Sequence, residues 1–135
     1  MTNAKPPVLG GPTPYLSVSN ASKAAEFYVK AFGAKEVMRM PPDDKGRTMH
    51  IHLVINGGSL MLADVFPEHG HPLEKPAGFV LHLAVDDVDK AFDQAVKAGG
   101  DVVLPVQDMF WGDRYGQFRD PFGVLWSMGA PIKNA

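Results

Sequence analysis

The chain has 135 residues, 45% of them hydrophobic and 21% charged, which suits one compact domain with a buried core. A formal net charge of -2, with Lys and Arg scattered along the chain, provides no electrostatic footprint for nucleic acid or an anionic membrane surface. The absence of cysteine excludes disulfides, thiolate catalysis and cysteine-held zinc, so any metal would rest on His, carboxylate or water.

The opening MTNAKPPVLGGPTP has no long apolar core behind a basic end. No apolar run approaches the roughly 20 residues that span a bilayer, so a cytoplasmic location is expected. Alternation from Thr13 to Ser19 predicts a strand. Asn20, a good N-cap, then opens a helix over Ala21 to Phe32 that Gly33 closes. Strands follow at Lys35 to Met40, Thr48 to Ile55 and Ser59 to Asp64, the last two joined by the Asn56-Gly57-Gly58 hairpin turn. Val65 to Ala77, with three prolines, Gly70 and no period, reads as a linker.

The pattern then repeats. Val80 to Val85 is strand-like, and Asp86 or Asp87 opens a helix over Val88 to Ala98. Strands are expected at Asp101 to Val106, Tyr115 to Arg119 and Val124 to Met128, with a loop around Trp111 and a loose tail after Ala130. Val18 falls on Val85, Asn20 on Asp87, Ala24 on Ala91 and Gly33 on Gly100 at one constant offset, which points to duplication of a whole module. The reading is therefore an α+β chain of two βαβββ modules, about 12–64 and 78–130, forming one domain.

Strand side chains alternate between two faces. Leu16, Val18, Ile51, Leu53, Ile55, Leu60, Leu62, Leu81, Leu83 and Val85 form apolar sets suited to lying under helices. The opposite faces carry Thr13, Tyr15, Ser17, His50, His52, Ser59, Met61, Ala63, Val80, His82, Ala84, Leu125 and Ser127, a set able to hydrogen-bond. These faces line a ligand cavity or are simply solvated, and composition alone leaves both open. Trp126, Phe118 and Phe122 are assigned to packing, with Trp126 under the second helix.

Pro14-Tyr15-Leu16, Ala24-Ala25-Glu26-Phe27-Tyr28, Ala31-Phe32-Gly33-Ala34, Val85-Asp86-Asp87-Val88-Asp89, Trp111-Gly112-Asp113-Arg114-Tyr115-Gly116 and Asp120-Pro121-Phe122-Gly123 occur in this order over nearly the whole chain. Together they resemble the vicinal oxygen chelate superfamily of glyoxalases, bleomycin resistance proteins and extradiol dioxygenases. The resemblance implies curled mixed sheets around a cavity, and in metal-dependent members a ligand on the first and last strand of each module. Aligned motif by motif, those positions fall on Thr13, Met61, Val80 and Ser127, none a usual ligand, with His82 two residues from Val80 on the same face.

Two functions from different classes follow. One is a binding protein without the usual metal, holding a small planar or aromatic molecule with Tyr15, His50, His52, Met61, His82, Trp111, Arg114, Tyr115 and Ser127. The other is a lyase or isomerase of the glyoxalase I type, using a divalent metal at His50, His52 and His82 or a general base at His82 or His52. A regulatory or scaffolding domain that kept the fold and lost the site is a third reading. Arg114 has a plainer alternative, pairing with Asp113 or Asp120, and so has Trp111, as a packing residue. The resemblance also implies a homodimer.

Overall fold

The computed structural model describes residues 5–133. It contains two four-stranded mixed sheets and two helices, in the order β1 (Tyr15–Val18), α1 (Ala21–Phe32), β2 (Lys35–Arg39), β3 (Ile51–Ile55), β4 (Gly58–Asp64), β5 (Leu81–Ala84), α2 (Val88–Ala98), β6 (Asp101–Asp108), β7 (Asp113–Arg119) and β8 (Leu125–Pro131). The sheet orders are β1-β4-β3-β2 and β5-β8-β7-β6, the same arrangement twice. In each, the first strand pairs parallel with the fourth, and the remaining pairs are antiparallel. The chain divides into two compact units, one comprising residues up to Val29 with Gly33–Glu74 and the other Lys30–Phe32 with the chain from Lys75 onward. No helix among the described residues is long and apolar enough to cross a membrane.

Both helices begin as the sequence prescribes. The Asn20 and Asp87 side chains accept from the backbone N–H groups of Lys23 and Lys90, each at 3.1 Å, satisfying donors that a helix start leaves free. Helix α1 buries Ala21, Ala24, Ala25, Tyr28 and Ala31, and α2 buries Val88, Phe92 and Ala95, the spacings of one helical face. At the C-termini the repeat slips by one residue: α1 has 12 residues and ends on Gly33, whereas α2 has 11 and ends on Gly99, not on Gly100. Gly100 is held instead by crowding, since an added Cβ would lie 2.8 Å from Phe118 Cδ2.

In the first unit Leu16, Val18, Ile51, Leu53, Ile55, Leu60 and Leu62 are buried on the expected face. In the second, Leu81, Leu83 and Val85 are only half-buried, because α2 lies over β6, β7 and β8. Trp126 is buried as expected, but its ring packs 4.6 Å from Phe32 in the last turn of α1, while Phe118 meets Phe92 of α2.

The larger departures lie around the β6–β7 hairpin. Both strands run longer than alternation alone indicates, and β8 continues to Pro131, where the Ile132 N–H donates to the Gly112 carbonyl. Arg114 therefore lies on a strand with Tyr115 and not in the loop, and the chain after Ala130 is tied down as far as Ile132. Conversely β3 starts at Ile51, because Thr48 turns its hydroxyl to the Met40 carbonyl and its N–H to the Asp64 carboxylate.

Candidate functional site

The polar face of each unit is built on its central fourth strand. In the first unit the register places Tyr15 opposite Met61, and His52 opposite Met61 from the other side. His50 lies one residue before the Ile51–Leu62 pair. The Tyr15 hydroxyl lies 2.8 Å from His50 Nδ1, with ring centroids 5.6 Å apart. Burial raises the Tyr15 pKa, so the phenol keeps its proton; burial, the neighbouring His52 and Lys5 lower that of His50, which stays neutral. The Tyr15 hydroxyl also donates toward the Met49 carbonyl at 3.3 Å, and the His50 tautomer sets which ring donates in the shorter bond. His52 is buried, its Nε2 sharing a 2.7 Å hydrogen bond with Ser59. Ser59 is covered in turn by Leu9, whose N–H donates to the hydroxyl and whose carbonyl accepts from the Ser59 N–H.

The second unit repeats this design with the residues exchanged. His82 lies opposite Ser127, and Gln117 opposite Ser127 from the other side. Tyr115, opposite Gly129, stacks on His82 with centroids 5.9 Å apart and planes 18° apart. Thus in one unit the first strand contributes Tyr and the residue just before the third strand is His, whereas in the other the first strand contributes His and the third Tyr. In the second unit the pair stands over Gly129 of the central strand.

His82 Nδ1 is 2.7 Å from the buried Ser127 hydroxyl, which fixes the ring and turns Nε2 outward. Gln117 donates from Nε2 to the Tyr115 hydroxyl at 2.9 Å, leaving the phenolic proton for another acceptor. Trp111 sets its ring edge-on to Tyr115 at 5.5 Å, is 48% exposed, and donates from Nε1 to Asp113. Phe110 beside it is 97% exposed.

Arg114 is not on this face. Strand alternation turns it to the helix side, where its guanidinium forms paired bonds to Asp89 of α2 at 2.7 and 2.8 Å and a third to Asp108 at 3.1 Å. Its carboxylate partners are thus neither Asp113 nor Asp120. The Asp120 carboxylate accepts from the Phe122 and Val124 N–H groups and from Trp126 Nε1. His69 and His71 are exposed, at the end of 3-10 helix Pro67–His69 and in the bridge to Phe66 that follows it.

The ladders add a register that the motif alignment does not contain. The cross-strand partners of Met61 and Ser127 are Tyr15 and His82, whereas Thr13 and Val80 precede β1 and β5. Thr13 and Tyr15 share a parity, as do Val80 and His82, so only the register decides between them. Of the four facing residues, His82 alone is a common metal ligand; a thioether, a neutral hydroxyl and a phenol tied to His50 do not make a donor set for a divalent ion. Among the described residues no three His, Asp or Glu side chains are grouped to hold a metal.

A model of the Glyoxalase/Bleomycin resistance protein/Dioxygenase superfamily matches residues 11–128. The chain belongs to this superfamily. An uncharacterized protein of Mycobacterium tuberculosis is 43% identical over 127 residues, covering 90% of this chain and 74% of that protein. Putative glyoxylase CFP32 of the same species is 29% identical over 126 residues, covering 88% of this chain and 47% of that longer protein. The crystal structure of TioX from Micromonospora sp. ML1 superposes with a TM-score of 0.72 at 29% identity, covering 91% of this chain and 99% of that one. Superfamily membership accounts for the duplicated module and the mixed sheets, and leaves the reaction to the residues on the two faces.

Proposed function

We propose that this superfamily member binds a small planar or aromatic molecule against the polar faces of its sheets, without a divalent metal. The observation that carries this reading is the shelf formed by His82, Tyr115 and Trp111, partly exposed rings that stand edge-on or stacked, with His82 Nε2 and the Tyr115 hydroxyl at the rim. The donor chemistry opposite Met61 and Ser127 supports the metal-free part. A homodimer in the cytoplasm belongs to the same reading.

Trp126 is buried and Trp111 is half-exposed, so quenching of tryptophan emission reports on the shelf. Flat aromatic probes such as anilinonaphthalene sulfonate are expected to bind saturably, and Trp111→Ala to weaken them by about 1–3 kcal/mol. Unchanged affinity would make Trp111 a packing residue. Near-stoichiometric metal in protein purified without chelators, lost in His82→Ala, would overturn the metal-free reading.

One observation favours a second reading. With Nδ1 held by Ser127, the outward Nε2 of His82 has the geometry of a positioned general base in a lyase or isomerase. Turnover of a candidate substrate that His82→Gln abolishes, with binding retained, would establish it. Binding without turnover leaves the first.

A further inference from the structure

The polar face of the second unit does not end at Tyr115. Strand β7 carries Asp113, Tyr115, Gln117 and Arg119 on one face, and the β7–β8 register sets Gln117 opposite Ser127 and Arg119 opposite Leu125. Beyond Gln117, Arg119 and Leu125 line a pocket of about 260 Å³ closed by Lys75–Phe79. The chain there supplies a second cation, Lys75, and a 45% exposed ring, Phe79.

Arg119 differs from the other three arginines. Arg39 pairs with Glu36, Arg47 with Asp43 and Glu68, and Arg114 with Asp89 and Asp108. Arg119 faces Asp101 across the β6–β7 ladder, yet no ion pair joins them; its Nη1 donates to the Gly123 carbonyl at 2.9 Å instead. Among the described residues neither Arg119 nor Lys75 has a carboxylate within ion-pair distance. A guanidinium held by one backbone carbonyl retains its remaining N–H donors for a planar anion, and an ammonium beside it adds charge.

We infer that Arg119, Lys75 and Phe79 form an anion subsite at the end of the aromatic shelf, which takes the carboxylate or other oxyanion of a flat ligand. The inference rests on the shelf reading above and narrows its ligand class to aromatic acids. Arg119 lies about 13 Å along the strand from Tyr115, at ~3.3 Å per residue, so the ligand places its anion one end away from the ring that Tyr115 and His82 receive. Phe79 beside the cations admits a small aromatic acid in the subsite by itself.

The test is an amide and arginine side-chain NMR titration of the full chain with benzoate and, separately, with benzamide, its uncharged counterpart. Benzoate is expected to give saturable shifts at Phe79, Arg119 and Gly123, and benzamide none there. Arg119→Gln is expected to weaken benzoate at least tenfold, and Lys75→Gln a few-fold. Equal binding of benzamide, benzoate shifts that survive Arg119→Gln, or no saturable shift at these residues would overturn the subsite. Shifts confined to Trp111 and Tyr115 would overturn it while keeping the shelf, and shifts at Arg119 with none on the shelf would keep the subsite and remove support from the shelf.

Discussion

His82 and Tyr115 stack across Gly129, and the glycine is what allows it: an added Cβ would lie 3.0 Å from His82 Cε1 and 3.4 Å from Tyr115 Cδ2. Gly129 has no left-handed backbone to defend, so its constraint is purely one of space. Gly129→Ala is expected to part the rings and lengthen the His82–Ser127 bond, at a stability cost of about 1 kcal/mol. The His82 Cε1–H resonance reports the change, since it loses the ring current of Tyr115. An unmoved resonance would show that the shelf accommodates a methyl group and that Gly129 does not shape it.

Asp120 holds the turn before β8 through three bonds, from the Phe122 N–H, the Val124 N–H and the indole of Trp126. It is 4% exposed, and Val124 and Trp126 are buried with it. Asp120→Ala leaves these buried donors without their acceptor, and is expected to cost about 3 kcal/mol in chemical denaturation. Trp126→Phe removes one bond and keeps the ring against Phe32, so its cost should be smaller. Equal losses would place the strength of this corner in packing, not in the carboxylate.

Stability should also fall on mild acidification. The His50 pKa lies below its ordinary 6.5 because burial, His52 and Lys5 all disfavour the imidazolium. The unfolded chain therefore takes up a proton first as pH falls. The contribution is fully present above 6.5 and declines below it, until His50 protonates in the folded state as well. Urea melts from about pH 7.5 to about 5.5 should show a shallower decline for His50→Gln than for the parent chain. A steeper decline in the variant would reverse the sign argued here.

Much of this molecule is legible without coordinates. Asn20 and Asp87 announce the helix starts because short polar side chains satisfy free N–H groups, and Asn56-Gly57 announces the hairpin because both residues take positive φ there. Alternation separates Leu16 and Val18 from Tyr15 and Ser17, so the polar face can be listed strand by strand. The motifs then identify the superfamily, since their order follows the duplicated module.

What alternation cannot supply is register, and register decides the site. The sequence by itself determined the two faces and the residues on them, because side-chain parity along a strand is a local property. Only the tertiary structure chose Tyr15 and His82 over Thr13 and Val80 as the residues facing Met61 and Ser127, since a shift of two preserves parity. It likewise moved Arg114 to the helix side, where Asp89 holds it, and placed Arg119 in a pocket, because strand ends are set by cross-strand hydrogen bonds and ion pairs between residues far apart in the chain.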